Sequence, residues 1–263
     1  MNIVGIIEDS LRYPLSDWKK IMILGIIVFC TSIPGIAIIT AFFGTTDINI
    51  TRFIDIFYLL VYGYLFRVIR STLTGEDKLP EFDNWVDMFK EGIKVFIVGI
   101  VYSIPAVLII LAFAAVPFAS NLGIIGSDIS TVITTILGMA GIWAFIPILY
   151  MIIIFPVLLI AVVNMVQNNG ELGTAFRFNE IVDMIMAVGL KHCAIWYIVT
   201  GIIYLAIFLM GTFIFSIFSI LIHPIFGQFF SELIIGQILT LLIVVPYLKI
   251  YLARSISLFY IFK

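Results

Sequence analysis

Residues 129–166 read ISTVITTILGMAGIWAFIPILYMIIIFPVLLIAVVNMV, 38 positions without one Asp, Glu, Lys, Arg or His. A helix at the surface of a soluble domain carries an apolar stripe and a charged face. This stretch has no charged face. An apolar run of 18 or more residues reads as a bilayer-crossing helix, which needs about 20. At 1.5 Å per residue the run would extend roughly 55 Å, so it must tilt, break or protrude. Pro147, Pro156, Gly138 and Gly141 are the candidate break points, and a split there would create a seventh span.

The rest of the chain repeats the pattern. Apolar stretches occupy about 21–43, 50–72, 92–119, 129–166, 189–221 and 229–254, the second being the weakest because Asp55 interrupts it. Of 263 residues, 63% are hydrophobic and 11% charged, against about 45–50% and about 25% in soluble domains. Mean hydropathy is +1.23. These values exclude an ordinary soluble enzyme and a disordered chain. Net charge is −2, and without a basic tract there is no footprint for nucleic acid. The first stretch exceeds the 7–15 apolar residues of a signal peptide, and no small-x-small site follows it, so it reads as a retained span.

Orientation follows from the cations. With six spans, Arg12, Lys19, Lys20, Arg67, Arg70, Lys78, Lys90, Lys94, Arg177, Lys191, Lys249, Arg254 and Lys263 fall on one side, and Arg52 alone on the other. A seventh span would scatter this partition. The expectation is an all-α integral membrane protein, one polytopic domain over 1–263. It has six spans, and both termini are cytoplasmic. The outer loops, about 44–52, 119–129 and 222–229, are too short for a folded domain. One of them holds the sequon Asn49-Ile50-Thr51, close to the bilayer.

The chain divides into three similar units, about 1–75, 76–168 and 169–263, each a lead-in followed by two spans. Trp18-Lys19-Lys20 precedes Ser32-Ile33-Pro34 at the spacing by which Phe89-Lys90-Glu91 precedes Ser103-Ile104-Pro105. The lead-ins are amphipathic. Ile3, Ile7 and Leu11 recur at helical spacing, as do Phe82, Trp85, Val86, Phe89 and Ile93, and Phe178, Ile181, Val182 and Ile185. Pro80, Glu81 and Asp83 suit a helix start. These segments read as short helices in the interface or packed on the cytoplasmic face of the bundle.

Few polar residues offer chemistry. Asp55 pairs with Arg52 at the outer end of its span. Arg67 and Arg70 follow eleven apolar residues and snorkel to the cytoplasmic boundary, pairing with Glu76, Asp77 or Glu81 across the connection. Pro34 and Pro105 mark kinks of the kind that build transporter sites. Trp85 belongs to an interfacial aromatic belt. Lys249 marks the cytoplasmic end of the sixth span. Cys30 and Cys193 sit in apolar runs and read as small hydrophobes. His192 and His223 are too far apart for a zinc site. No catalytic set, metal site or cofactor motif is present.

The stretch Gly63-Tyr64-Leu65-Phe66-Arg67-Val68-Ile69-Arg70 is distinctive, with Leu79-Pro80-Glu81-Phe82-Asp83-Asn84-Trp85 and Gly92-Ile93-Lys94 after it. So is the opening Asp9-Ser10-Leu11, Tyr13-Pro14, Asp17-Trp18-Lys19. Together they resemble the domain-of-unknown-function 4013 family of archaeal multi-pass membrane proteins. The resemblance implies the topology and an archaeal cell membrane, and carries no mechanism. The resulting expectation is a non-catalytic accessory, scaffold or membrane-organising component. Its partners would be membrane lipids and a membrane protein or a second copy. A small-solute transporter or channel is the alternative, and a lipid-modifying enzyme the second.

Overall fold

The computed structural model describes residues 3–32, 48–120, 145–226 and 234–262, with the backbone alone for 48–56, 113–120, 223–226 and 234. Every regular element among these residues is helical. In chain order they are α1 (Ile3–Arg12), α2 (Trp18–Cys30), α3 (Ile48–Leu73), α4 (Trp85–Ser120), α5 (Phe145–Gln167), α6 (Phe178–Val188), α7 (Leu190–Phe226), α8 (Ile234–Leu239) and α9 (Val245–Ile261). Helix closes every backbone hydrogen bond within one segment, which lipid demands. Four helical stretches are long and apolar enough to cross a membrane: Trp85–Ala112, Phe145–Gln167, Leu190–Ile222 and Ile235–Ile261. They correspond to the third to sixth apolar stretches. The first is described only through Ser32, and the second forms α3.

Local chemistry sets the helix ends. Tyr13–Ser16, with Pro14, makes a 3-10 turn after α1. Asp17 then caps α2, its Oδ1 accepting the Lys19 and Lys20 N–H groups at 3.0 and 3.4 Å. Gly75, at φ +80°, closes α3 in a Schellman arrangement, with Glu76 N–H donating to the Ser71 carbonyl at 2.9 Å. Pro105 and Pro156 lie inside continuous helices rather than at breaks. Pro34 falls outside the described residues, as do Gly138 and Gly141.

One lead-in differs from its expectation. Helix α4 begins at Trp85, after Asn84 in a left-handed conformation at φ +44°, and runs without interruption into its apolar part. Pro80, Glu81 and Asp83 therefore lie ahead of the helix, and no separate short helix covers 82–93. The buried residues here are Met88 and Gly92, while Trp85 and Val86 are exposed. In the other two lead-ins, α1 and α6 are separate helices.

Contacts define two compact units, residues 1–96 with 161–263, and 97–160. In the first, α9 is central and packs on α1, α2, α3 and α7. Leu248, Ile250, Tyr251 and Phe259 are fully enclosed. Glycines permit close backbone contact. A Cβ at Gly63 would strike the Met88 carbonyl of α4, and one at Gly92 the Leu59 carbonyl of α3. Gly25 of α2 faces the Leu242 carbonyl, which lies in a π turn, Thr240–Val244, that carries α8 into α9. Pro246 lacks the N–H that would hold regular spacing there, and Val245 N–H donates to Thr240 five residues back. In the second unit, the Tyr150 hydroxyl donates to the Tyr102 carbonyl at 3.0 Å, and the Ser103 hydroxyl donates to the Gly99 carbonyl at 2.7 Å.

Gly63→Leu and Gly92→Leu should each destabilise the α3–α4 crossing by about 1–3 kcal/mol or more. Gly99→Leu, with nothing within 4 Å of its added Cβ, should have little effect. Thermal unfolding of the three variants in detergent checks this; equal melting temperatures would refute the crossing.

Candidate functional site

Several charged side chains of the first unit gather around the connection after α3, residues 74–84. Arg254 of α9 is the centre, with its side chain 4% exposed. Its Nε donates to Asp9 Oδ1 at 2.7 Å. Nη2 donates to Asp9 Oδ2 at 3.4 Å and to Asp77 Oδ1 at 3.2 Å. Nη1 reaches the Glu76 carbonyl at 2.8 Å and Thr72 Oγ1 at 3.4 Å. A guanidinium has five N–H groups, and each finds an acceptor. The Tyr13 ring covers its face, 4.3 Å from Cζ to centroid. The Tyr13 hydroxyl donates to the Lys78 carbonyl at 2.9 Å. Burial raises the Tyr13 pKa, with the Ser71 hydrogen bond and the Arg254 charge acting against it, so the phenol remains a neutral donor.

Two smaller clusters flank this centre. Lys20 is buried, and its ammonium donates to the Leu79 carbonyl at 2.7 Å and to Glu81 Oε1 at 2.8 Å. Arg67 Nε donates to Glu91 Oε2 at 3.0 Å. Its Nη1 holds the carbonyl and Oδ1 of Asp83, both at 2.7 Å, and Nη2 the Asn84 carbonyl at 3.1 Å. Arg70 Nη1 donates to Glu91 Oε1 at 2.8 Å. Arg67 and Arg70 thus grip one carboxylate from α4. Of their expected partners, Asp77 pairs with Arg254 and Glu81 with Lys20 instead, and Glu76 offers Arg254 its backbone carbonyl. A cleft of about 700 Å³ opens beside these groups, lined by Arg67, Arg70, Glu91 and Lys94 among others.

Further polar contacts link later segments. The Lys94 ammonium donates to the Gly170 carbonyl at 2.8 Å. Asn164 of α5 is buried and donates to the Thr174 carbonyl at 3.0 Å and to Glu180 Oε2 at 3.2 Å. Its Oδ1 accepts the Tyr260 hydroxyl at 3.0 Å. The hydrogen bond from Asn164, and then that from Arg177, lowers the Glu180 pKa. Lys249 rests 5.3 Å from the Tyr58 ring centroid.

Arg67 and Arg70 therefore share a cluster, with Trp85 immediately after it; the Trp85 ring lies 5.8 Å from Phe82, which stacks on Tyr64 at 4.1 Å. Pro105 stands apart in the other unit. Of Asp55 only the backbone is described, within α3. Sequence reading missed Arg254, Asp9 and Asn164 as partners. Arg254 had one visible signal, a cation with apolar residues on both sides. Chemically, the clusters match each buried cation to a carboxylate or carbonyl, which suits fastening rather than proton transfer. Among the described residues no three His, Cys, Asp or Glu side chains group to hold a metal ion.

Arg254→Met should lose about 1–3 kcal/mol, since it unpairs Asp9 and the Glu76 carbonyl, while Asp77, 89% exposed, is simply rehydrated. Arg254→Lys should recover only part, because it keeps charge without the planar fork. Tryptophan-monitored unfolding in detergent measures both; a wild-type melting temperature for Arg254→Met would contradict the assignment. Glu180 adds a pH-dependent component. Its folded pKa is lowered, so its stabilisation is present above the ordinary carboxylate range and lost as pH falls through the folded value. Wild type should therefore lose more stability than Glu180→Leu between about pH 5 and pH 3.

The family model described as Protein of unknown function (DUF4013) matches residues 50–217. No curated protein and no solved structure matches the chain. The matched region takes in the Arg67–Glu91–Asp83 cluster and the Asn164–Glu180 contact, and stops short of Asp9 and Arg254. Since the match covers more than half of the sequence, the chain belongs to the family of proteins of unknown function DUF4013.

Proposed function

We propose that this chain is a six-span protein of the cell membrane, with both termini cytoplasmic, that works as a non-catalytic scaffold or accessory component. The observation that carries the reading is the set of contacts joining separate lead-ins. Arg254 ties α1 and the 74–84 connection to α9. Lys94 ties the start of α4 to the segment after α5. Segments that touch in this way share one side of a bilayer, so an even number of crossings separates each pair. Two crossings between successive lead-ins make six spans arranged as three hairpin units, and the cation partition agrees with that parity.

The scaffold part of the reading rests on how the charges are used. The buried cations Lys20 and Arg254 engage internal partners, and Arg67 does the same at the end of α3. The network fixes the lead-ins as a rigid platform at the membrane surface. Lipids surround the spans, and a membrane protein or a second copy is the macromolecular partner.

Topology is tested by single cysteines in a chain with Cys30 and Cys193 replaced by alanine. Ile125→Cys should react with an impermeant maleimide in intact cells, and Lys78→Cys only after permeabilisation. The reverse pattern, or equal labelling, would defeat the six-span arrangement. Purified protein in liposomes should support no solute flux; reproducible flux that Pro34→Ala and Pro105→Ala abolish would replace the scaffold with a transporter.

A further inference from the structure

Helix α6 (Phe178–Val188) distributes its side chains over three sectors. With 3.6 residues per turn, successive residues are 100° apart. Ile181, Met184 and Val188 fall in one sector and are 1%, 3% and 9% exposed. Phe178, Val182 and Met186 fall in the adjoining sector and are 56%, 50% and 62% exposed. Asn179, Glu180 and Asp183 fill the remainder and are exposed. The roll of the helix is set from outside, because Glu180 Oε2 accepts from buried Asn164 of α5 at 3.2 Å. The Phe178, Val182 and Met186 sector cannot turn inward without breaking that contact.

The chain on either side restricts where α6 can lie. Only Gly189 separates it from α7, whose apolar surface starts at Leu190, 62% exposed, and continues through Ile198, Ile202 and Leu205. Gly189 adopts φ +91°, a conformation open to glycine, and turns the chain from one helix into the next. If α7 crosses the bilayer, the end of α6 is one residue from the boundary. A helix with one face in protein, the next apolar and the third polar suits the junction of bundle, lipid and water.

We propose that α6 lies in the plane of the cytoplasmic leaflet, with Phe178, Val182 and Met186 inserted among the lipid chains and Asp183 in water. The proposal rests on α7 crossing the membrane, as the six-span reading requires. The occupant of the exposed sector is the leaflet, because one residue beyond α6 the chain enters α7, whose exposed apolar side chains begin at Leu190.

Nitroxide spin labels on single cysteines test this in phosphatidylcholine–phosphatidylglycerol vesicles, using full-length chain with Cys30 and Cys193 replaced by alanine. Val182→Cys and Met186→Cys should collide with oxygen several-fold more than with a water-soluble nickel chelate, as should Phe213→Cys on α7. Asp183→Cys should show the reverse. Nickel-dominated collisions at 182 and 186, with 213 in lipid, would place α6 in water and overturn the proposal alone. Exclusion of both reagents from 182 and 186 would mean that a second copy or another protein covers the sector, which also overturns it. Nickel-dominated collisions at 213 would overturn the six-span reading as well.

Discussion

The buried guanidinium of Arg254 is the constraint on which the first unit depends. A charge removed from water is costly unless its partners are complete. Here completeness needs three separate pieces of chain at once. The Asp9 carboxylate comes from α1, Asp77 and the Glu76 carbonyl from the 74–84 connection, and the Tyr13 ring from the turn between α1 and α2. A planar fork accepts these only in one arrangement. Apolar packing among lipid-facing helices is permissive by comparison, since lipid tails are as apolar as the side chains. The ionic contacts therefore set orientation, and van der Waals contact fills in around them.

The helices themselves were legible. Where the apolar stretches are described they are helices, while the caps at Asp17 and Gly75 were not read in advance. Pairing was less legible. Spacing placed Arg67 and Arg70 at a helix end, and nearness in sequence suggested Glu76, Asp77 or Glu81 as partners. The connection instead folds back, so Glu91, more than twenty positions onward, meets both arginines. Asp77 and Glu81 serve cations distant in sequence. Asn164, with Gln167, Asn168 and Asn169 close behind it, marked the polar lead-in to the third unit, but spacing could not name Thr174, Glu180 and Tyr260 as its partners.

Face selection was the second gap. Periodicity marked Trp85, Val86 and Phe89 as the apolar stripe of their segment, yet the face turned to α3 carries Met88 and Gly92. In water the larger stripe would be driven inward. Here the smallest residues decide, because Gly63 and Gly92 let two backbones meet. The same rule accounts for Gly25 against Leu242, where the π turn and Pro246 set the facing carbonyl. Large apolar side chains then remain on the outside, as along α7.

The Asp9–Arg254 contact spans 245 positions of sequence. Ribosomal synthesis delivers Asp9 early and Arg254 only after helices α2 to α8 have been made. Until then Asp9 and Asp77 remain hydrated, and the N-terminal segment meets the connection through Tyr13 and Lys20. The fastening therefore closes last. Order of synthesis thus leaves the Asp9 carboxylate waiting on a guanidinium made 245 positions later.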